Sequence, residues 1–100
     1  MRMLMKWSMG THEATEVIRS GRIADINKTL AELTKPEAQY FCVEGGTRTS
    51  YVFFDLADPS DIPPIAEPLF QELNATVEFF PAMNGDDLGA GLGKASNAWT

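Results

Sequence analysis

The stretch that decides the fold is residues 38–56, AQYFCVEGGTRTSYVFFDL. Two segments rich in aromatic and β-branched residues flank Gly45 and Gly46. A Gly-Gly pair accepts the positive φ angles of a tight turn, so residues 38–44 and 47–56 are predicted to form a β-hairpin. A two-residue turn fixes the pairing of the two strands. One face then carries four cross-strand pairs: Glu44 with Thr47, Cys42 with Thr49, Tyr40 with Tyr51 and Ala38 with Phe53. The other face carries Phe41, Val43, Ser50, Val52 and Phe54.

The N-terminal segment predicts a strand followed by an interrupted helix. Met3, Met5 and Trp7 alternate with Leu4, Lys6 and Ser8, which is the period-2 pattern of a strand whose two faces differ. From Thr11 onward, helical spacing is broken near Ser20 and Gly21 and then resumes at Ile23, Ile26, Leu30 and Leu33. Pro36 ends the helix, because the residue before a proline avoids the helical region.

The C-terminal half predicts a second helix and a fourth strand. Asp58 and Pro59 are suited to the start of a helix that contains Pro68 and ends near Asn74. Residues 76–80 follow as a strand. A short helix through Leu88, Ala90 and Leu92 comes next, weakened by glycines, and residues 94–100 are expected to be a frayed tail.

The order β-α-β-β-α-β predicts one α+β domain over residues 1–100, with the ferredoxin-like four-stranded antiparallel sheet and both helices on one face. Apolar residues occupy both faces of the hairpin, so the uncovered face also needs a partner. We predict a homodimer through this open sheet face, of the dimeric α/β-barrel type. The alternative is that the C-terminal segment folds back over it.

Composition limits the partners and the compartment. The 100 residues include 8 Lys and Arg against 14 Asp and Glu, a formal charge of −6, which repels phosphate backbones and argues against nucleic acid. No stretch approaches the roughly 20 apolar residues that cross a bilayer, so no membrane partner is predicted. Cys42 is the only cysteine; its apolar neighbours predict burial, and a reducing cytoplasm fits it best.

Five stretches carry a resemblance to a known family: MLMKW (residues 3–7), KPEAQYF (35–41), YVFFDLADPSDIP (51–63), AEPLFQEL (66–73) and PAMNGDDL (81–88). They resemble short bacterial proteins of unassigned function within the dimeric α/β-barrel group of ferredoxin-like folds. The resemblance implies the fold and the pairing of two chains. The wider group includes cofactor-free monooxygenases, small isomerases, haem-degrading enzymes and proteins without demonstrated catalysis, so it selects no reaction.

The candidate ligand-binding residues are Tyr40, Tyr51, Cys42 and Trp7. The two tyrosines lie side by side on the hairpin, and their hydroxyl groups on an apolar sheet suit a small pocket or, alternatively, the packing of an interface. Trp7 joins them only if the first strand presents it to the same face. His12, after the first strand, is the candidate catalytic residue, because only an imidazole titrates near neutrality.

The remaining charged and glycine-rich patterns do not define a particular binding site. Arg48, on the face opposite the tyrosines, is suited to bind a carboxylate, to pair with Glu44 or Glu37, or to stay solvated. The acidic clusters lack the spacing of a metal site, and the glycines of residues 89–93 lack the following β-α-β unit of a dinucleotide motif. No metal and no cofactor are therefore predicted.

Three hypotheses about function remain open, and the sequence does not decide whether the protein is an enzyme. The leading one is a small dimer that binds a modest apolar or aromatic molecule between sheet and helices. The second is a structural or interaction protein without a ligand cavity. The third is a cofactor-free monooxygenase or isomerase.

Overall fold

The hairpin forms as its two glycines predict. Gly45 and Gly46 have φ angles of 58° and 78°, the left-handed values that a tight type I′ turn requires. The strands pair from Ala38 opposite Phe53 to Glu44 opposite Thr47, so the predicted register is confirmed.

A computed structural model describes residues 1–99. In chain order the elements are β1 (Arg2–Ser8), α1 (Thr11–Arg19), α2 (Arg22–Thr34), β2 (Ala38–Glu44), β3 (Thr47–Asp55), a 3₁₀ turn (Pro59–Asp61), α3 (Ile62–Leu73), β4 (Thr76–Pro81) and α4 (Gly85–Ala98).

The strands form one antiparallel sheet in the order β2-β3-β1-β4, which is the ferredoxin-like order and confirms the predicted fold class. Alternation along β1 sends Met3, Met5 and Trp7 to the helix-covered face, where they are buried. Phe54 of β3 packs edge-on against Phe79 of β4 in the same layer. The core therefore lies between this face of the sheet and the helices.

The first helical region is in two pieces, as predicted. Ser20 caps α1 through its backbone N–H, and Gly21 turns the chain with a φ angle of 79°. The second piece, α2, ends at Lys35, whose left-handed backbone (φ 47°) turns the chain just before Pro36.

The second helix also begins and ends where the sequence predicts. The Asp58 carboxylate accepts a hydrogen bond from the backbone N–H of Ser60, 2.9 Å away, and so caps the 3₁₀ turn that leads into α3. The helix accommodates Pro68 and ends at Asn74, whose φ angle is 50°.

The last helix is longer than the sequence predicts. α4 continues to Ala98, so residues 94–98 are helical where a frayed tail was expected; Thr100 lies outside the described residues. The helix begins at a reciprocal capping box between Asn84 and Asp87, which compensates in part for its glycines. None of its side chains is buried, and the radius of gyration is 16.2 Å against about 13 Å for a compact chain of this length.

The predicted burial of Cys42 is wrong. Its thiol is exposed on the open face of β2, which is an edge strand of the sheet. An apolar neighbourhood in sequence leads to burial only where another element covers that face. In this chain no described helix lies over it.

Candidate functional site

A cavity of about 320 Å³ lies between the sheet and the paired helices α1 and α2. Its volume falls at the lower end of the roughly 300–1,000 Å³ found for small-molecule sites. The lining residues are Trp7, Met9, Ala14, Ile18, Ile23, Asn27, Phe41, Cys42, Val43, Arg48, Thr49 and Ser50. Most of this lining is apolar, and it opens to solvent beside Phe41 and Val43, which are 63% and 75% exposed.

The sheet side of the cavity is one row of residues across three strands. Trp7 of β1 lies directly opposite Ser50 of β3, and Ser50 lies directly opposite Phe41 of β2. All three project to the helix-covered face, because side chains paired directly across an antiparallel sheet share a face. The helix side carries Ala14 on α1 and Asn27 on α2.

Three lining residues carry a buried polar atom that lacks a hydrogen-bond partner within residues 1–99. These atoms are Trp7 Nε1, Asn27 Oδ1 and Ser50 Oγ. An unpartnered polar atom in the interior costs about 1–3 kcal/mol, so three around one cavity are expensive for folding alone. The three groups comprise one donor, one acceptor and one hydroxyl that does both.

Among residues 1–99, Arg48 supplies the only cationic group of the lining. Its Nη1 donates to the Thr11 carbonyl oxygen at 3.4 Å and to Thr15 Oγ1 at 3.2 Å, which holds the guanidinium beside the first turns of α1. Neither acid that the sequence suggested pairs with it. Glu44 binds Lys6, and Glu37 binds Arg2 at 2.8 Å.

The sequence-predicted ligand residues are divided between the two faces of the sheet. Trp7 lines the cavity on the helix-covered face, whereas Tyr40 and Tyr51 pair on the open face. Cys42 borders the cavity only along its strand, because its side chain alternates to the open face. His12 is exposed in the first turn of α1 and does not line the cavity.

Tyr51 belongs instead to a polar cluster at the centre of the open face. Its hydroxyl donates to Glu44, whose carboxylate also forms an ion pair with Lys6. The hydrogen bond to Lys6 is the main cause that lowers the pKa of Glu44, and the bond to Glu44 raises the pKa of both Lys6 and Tyr51. The Lys6 ammonium also lies 5.9 Å from the centre of the Tyr51 ring.

A second groove, of about 610 Å³, lies at the other end of the sheet beside Arg2. Arg2 spans it with an ion pair to Glu37 at 2.8 Å and another to Asp87 of α4 at 3.3 Å. Because both acids already have a cationic partner, this groove is a weaker ligand site than the cavity.

Sequence reasoning missed Asn27 and Ser50 as site residues. Each is a polar residue in a position that the local pattern reserves for an apolar one. Asn27 lies four residues after Ile23 on the core-facing side of α2, and Ser50 shares its face of β3 with Val52 and Phe54. A polar interruption of this kind was the available signal.

Comparison with models of known protein families and with curated protein sequences gives no match, so the site is interpreted from its own chemistry. No three His, Cys, Asp or Glu side chains within residues 1–99 are grouped to hold a metal ion. No helix of the described chain has both the length and the apolar character needed to cross a membrane.

Proposed function

We propose that this chain is a small homodimeric protein that binds a modest aromatic molecule bearing a hydroxyl or carbonyl group, in the cavity between the sheet and helices α1 and α2. The observation that carries this proposal is the set of unpartnered polar atoms of Trp7, Asn27 and Ser50 around an apolar cavity. An apolar site with a few placed polar groups is the usual composition of a small-molecule pocket.

The polar groups favour a phenol over a pure hydrocarbon. Trp7 Nε1 and Asn27 Oδ1 are fully buried in the free protein, so these side chains turn toward the cavity when a ligand binds. A phenolic oxygen then accepts a hydrogen bond from Trp7 Nε1 and donates its proton to Asn27 Oδ1, which gives partners to both atoms. The hydroxyl of Ser50 is able to take either role. The ring then occupies the apolar volume bordered by Met9, Ala14 and Ile23.

Binding is favoured over catalysis by the lining itself. Its ionisable groups are the guanidinium of Arg48 and the thiol of Cys42, and the latter lies on the open face. No imidazole or carboxylate of the described residues borders the cavity, so a general base for an isomerase or a monooxygenase has no placed candidate among them. A purely structural protein, the remaining alternative, gains nothing from three unpaired buried groups.

The homodimer is supported by two apolar surfaces that the described chain leaves uncovered. On the open face, Tyr40 is 66% exposed and Phe80 43% exposed. On α4, Leu88, Leu92 and Ala95 recur at spacings of four and three, which places them on one side of the helix as an apolar stripe, and Trp99 follows at its C-terminal cap. A 14-residue helix with several glycines is marginal alone, so it needs packing that a second copy supplies.

The strand order is compatible with the dimeric α/β-barrel group, and the proposal includes membership of its family of short bacterial proteins. A reducing cytoplasm suits the exposed, unpaired thiol of Cys42.

The test of ligand binding is a thermal-shift and calorimetric screen with phenols, naphthols and small quinones against wild type and Ala14→Leu. Ala14 is fully buried and lines the cavity, so the leucine side chain occupies ligand volume. We expect at least one phenol to stabilise the wild type and to lose most of that effect in Ala14→Leu. Ala90→Leu, a substitution of the same size on the exposed α4, is the control and should bind like wild type.

Absence of any hit in wild type would contradict the proposal, as would equal binding by Ala14→Leu. Sedimentation tests the assembly separately. We expect a dimer at micromolar concentration, and a monomer would remove the argument from the open face and α4.

A further inference from the structure

We propose that the ligand is an aromatic acid and that Arg48 binds its carboxylate at the mouth of the cavity. This inference rests on the ligand-binding function proposed above. The guanidinium of Arg48 carries a positive charge that no described acidic side chain neutralises in an ion pair. Arg48 lines the cavity and makes no ion pair within residues 1–99, although the chain contains 14 acidic residues.

The acid that lies in the chain between the two residues bonded by Arg48, Thr11 and Thr15, is directed elsewhere. Glu13, in the first turn of α1, folds its carboxylate over Gly10, so closely that a Cβ atom on Gly10 would lie 2.4 Å from Glu13 Oε2. Only Nη1 of Arg48 is bonded, and both of its contacts, at 3.2 and 3.4 Å, are at the long end of the hydrogen-bond range. Nη2 and Nε remain for a carboxylate.

The spacing along β3 matches a disubstituted ring. Arg48 and Ser50 are two residues apart and share the helix-covered face, so their Cα atoms are about 7 Å apart. A para-substituted ring holds its two substituents at a comparable separation. The phenolic oxygen then binds among Trp7, Asn27 and Ser50 while the carboxylate reaches Arg48.

The charge of the whole chain makes this arginine necessary for an acidic ligand. A net charge of −6 repels anions on average, and the lining residues other than Arg48 include no Lys, His, Asp or Glu. A guanidinium that presents two parallel N–H groups binds a carboxylate in a fixed orientation. Arg48 therefore determines both the class of the ligand and which end enters first.

The test uses 4-hydroxybenzoate and its neutral counterpart, 4-hydroxybenzamide, with calorimetric titration into the intact protein. We expect wild type to bind the acid about five- to tenfold more tightly than the amide. Arg48→Gln should bring the acid to the affinity of the amide and leave the amide unchanged. Arg19→Gln, which removes the same charge from an exposed position on α1 outside the cavity lining, should keep the wild-type preference.

The outcomes separate the two proposals. Equal binding of acid and amide by wild type, or an unchanged preference in Arg48→Gln, overturns the role of Arg48 and leaves the cavity as a site for neutral phenols. If wild type binds neither of these probes but binds other phenols from the screen, the aromatic-acid proposal alone fails. If no phenol binds at all, the proposed function fails with it.

Discussion

Trp7 and Ser50 lie directly opposite each other on β1 and β3, and each carries a buried polar atom with no partner within residues 1–99. Two unpartnered polar groups at one cross-strand position lower the stability of the free protein, and both lie in the wall of the cavity. Binding sites are regions where a protein accepts this kind of cost, because a ligand later supplies the missing hydrogen bonds. The pair therefore allows stability and binding to be tested against each other.

Replacing Ser50 with Ala should stabilise the free protein and weaken the bound state. The substitution removes an unpartnered hydroxyl with little change in volume, so we expect the free energy of unfolding to rise by about 1 kcal/mol. The same change should reduce the affinity for a phenol about threefold to tenfold, because one hydrogen bond is lost. Chemical denaturation and calorimetric titration measure the two effects.

Thr34→Val is the control for this prediction. Thr34 is as buried as Ser50, but its hydroxyl donates to the Leu30 carbonyl oxygen at 2.7 Å. Its removal should lower stability and leave phenol binding unchanged. A loss of stability in Ser50→Ala as large as that in Thr34→Val would indicate that Ser50 is an ordinary bonded core residue.

The sequence predicts those parts of the fold that depend on local chemistry. Gly45 and Gly46 determine the turn, and the turn determines the seven cross-strand pairs of the hairpin, including the four predicted on one face. Gly21 and Pro36 likewise mark a break and an end that need no knowledge of the tertiary structure. These features were predictable because each depends on backbone angles that few residues adopt.

The site was less predictable because it depends on contacts between distant segments. The face that Trp7 occupies depends on the pairing of β1 with β3, which the hairpin turn does not determine. The position of Asn27 against the sheet depends on how α2 packs. The length of α4 was underestimated for a different reason, since its glycines lower helix propensity while the capping box at Asn84 favours initiation.

Asn27→Leu should replace the polar group on the helix side of the cavity with an apolar side chain that packs as part of the core. Leucine is branched at Cγ like asparagine, is a better helix former and leaves no unpartnered carbonyl. We expect the melting temperature to rise by a few degrees and phenol affinity to fall by about tenfold. Lys28→Leu introduces the same side chain at the next, exposed position of α2, with little change in helix propensity, and should leave phenol binding intact.

Leu92→Glu should weaken self-association by at least about tenfold, because it places a charge in the middle of the apolar stripe of α4. Leu92 is 61% exposed in the single chain, so the substitution has little reason to unfold the monomer. Ala90→Glu adds the same charge on the opposite side of the helix and should leave the dissociation constant within about twofold. Analytical ultracentrifugation over a concentration series distinguishes the two variants, and equal effects would contradict a role for the stripe.

Acid should remove the contribution of the Glu44 cluster to stability. Binding to Lys6 and Tyr51 lowers the pKa of Glu44 in the folded chain below its ordinary value of 4.5. A carboxyl group with a depressed pKa stabilises the fold above its unfolded pKa and loses that effect as pH falls through its folded pKa.

The difference in melting temperature between wild type and Glu44→Gln should therefore be constant near about pH 6 and shrink toward about pH 3. Asp58, whose pKa is lowered by its bonds to Ser60, is present in both proteins and cancels in the comparison. Glu32→Gln removes an exposed carboxylate of α2, which takes no part in the Glu44 cluster, and serves as the control. This variant should keep the acid dependence of wild type. A difference between wild type and Glu44→Gln that persists unchanged at low pH would show that Glu44 acts through packing rather than through its charge.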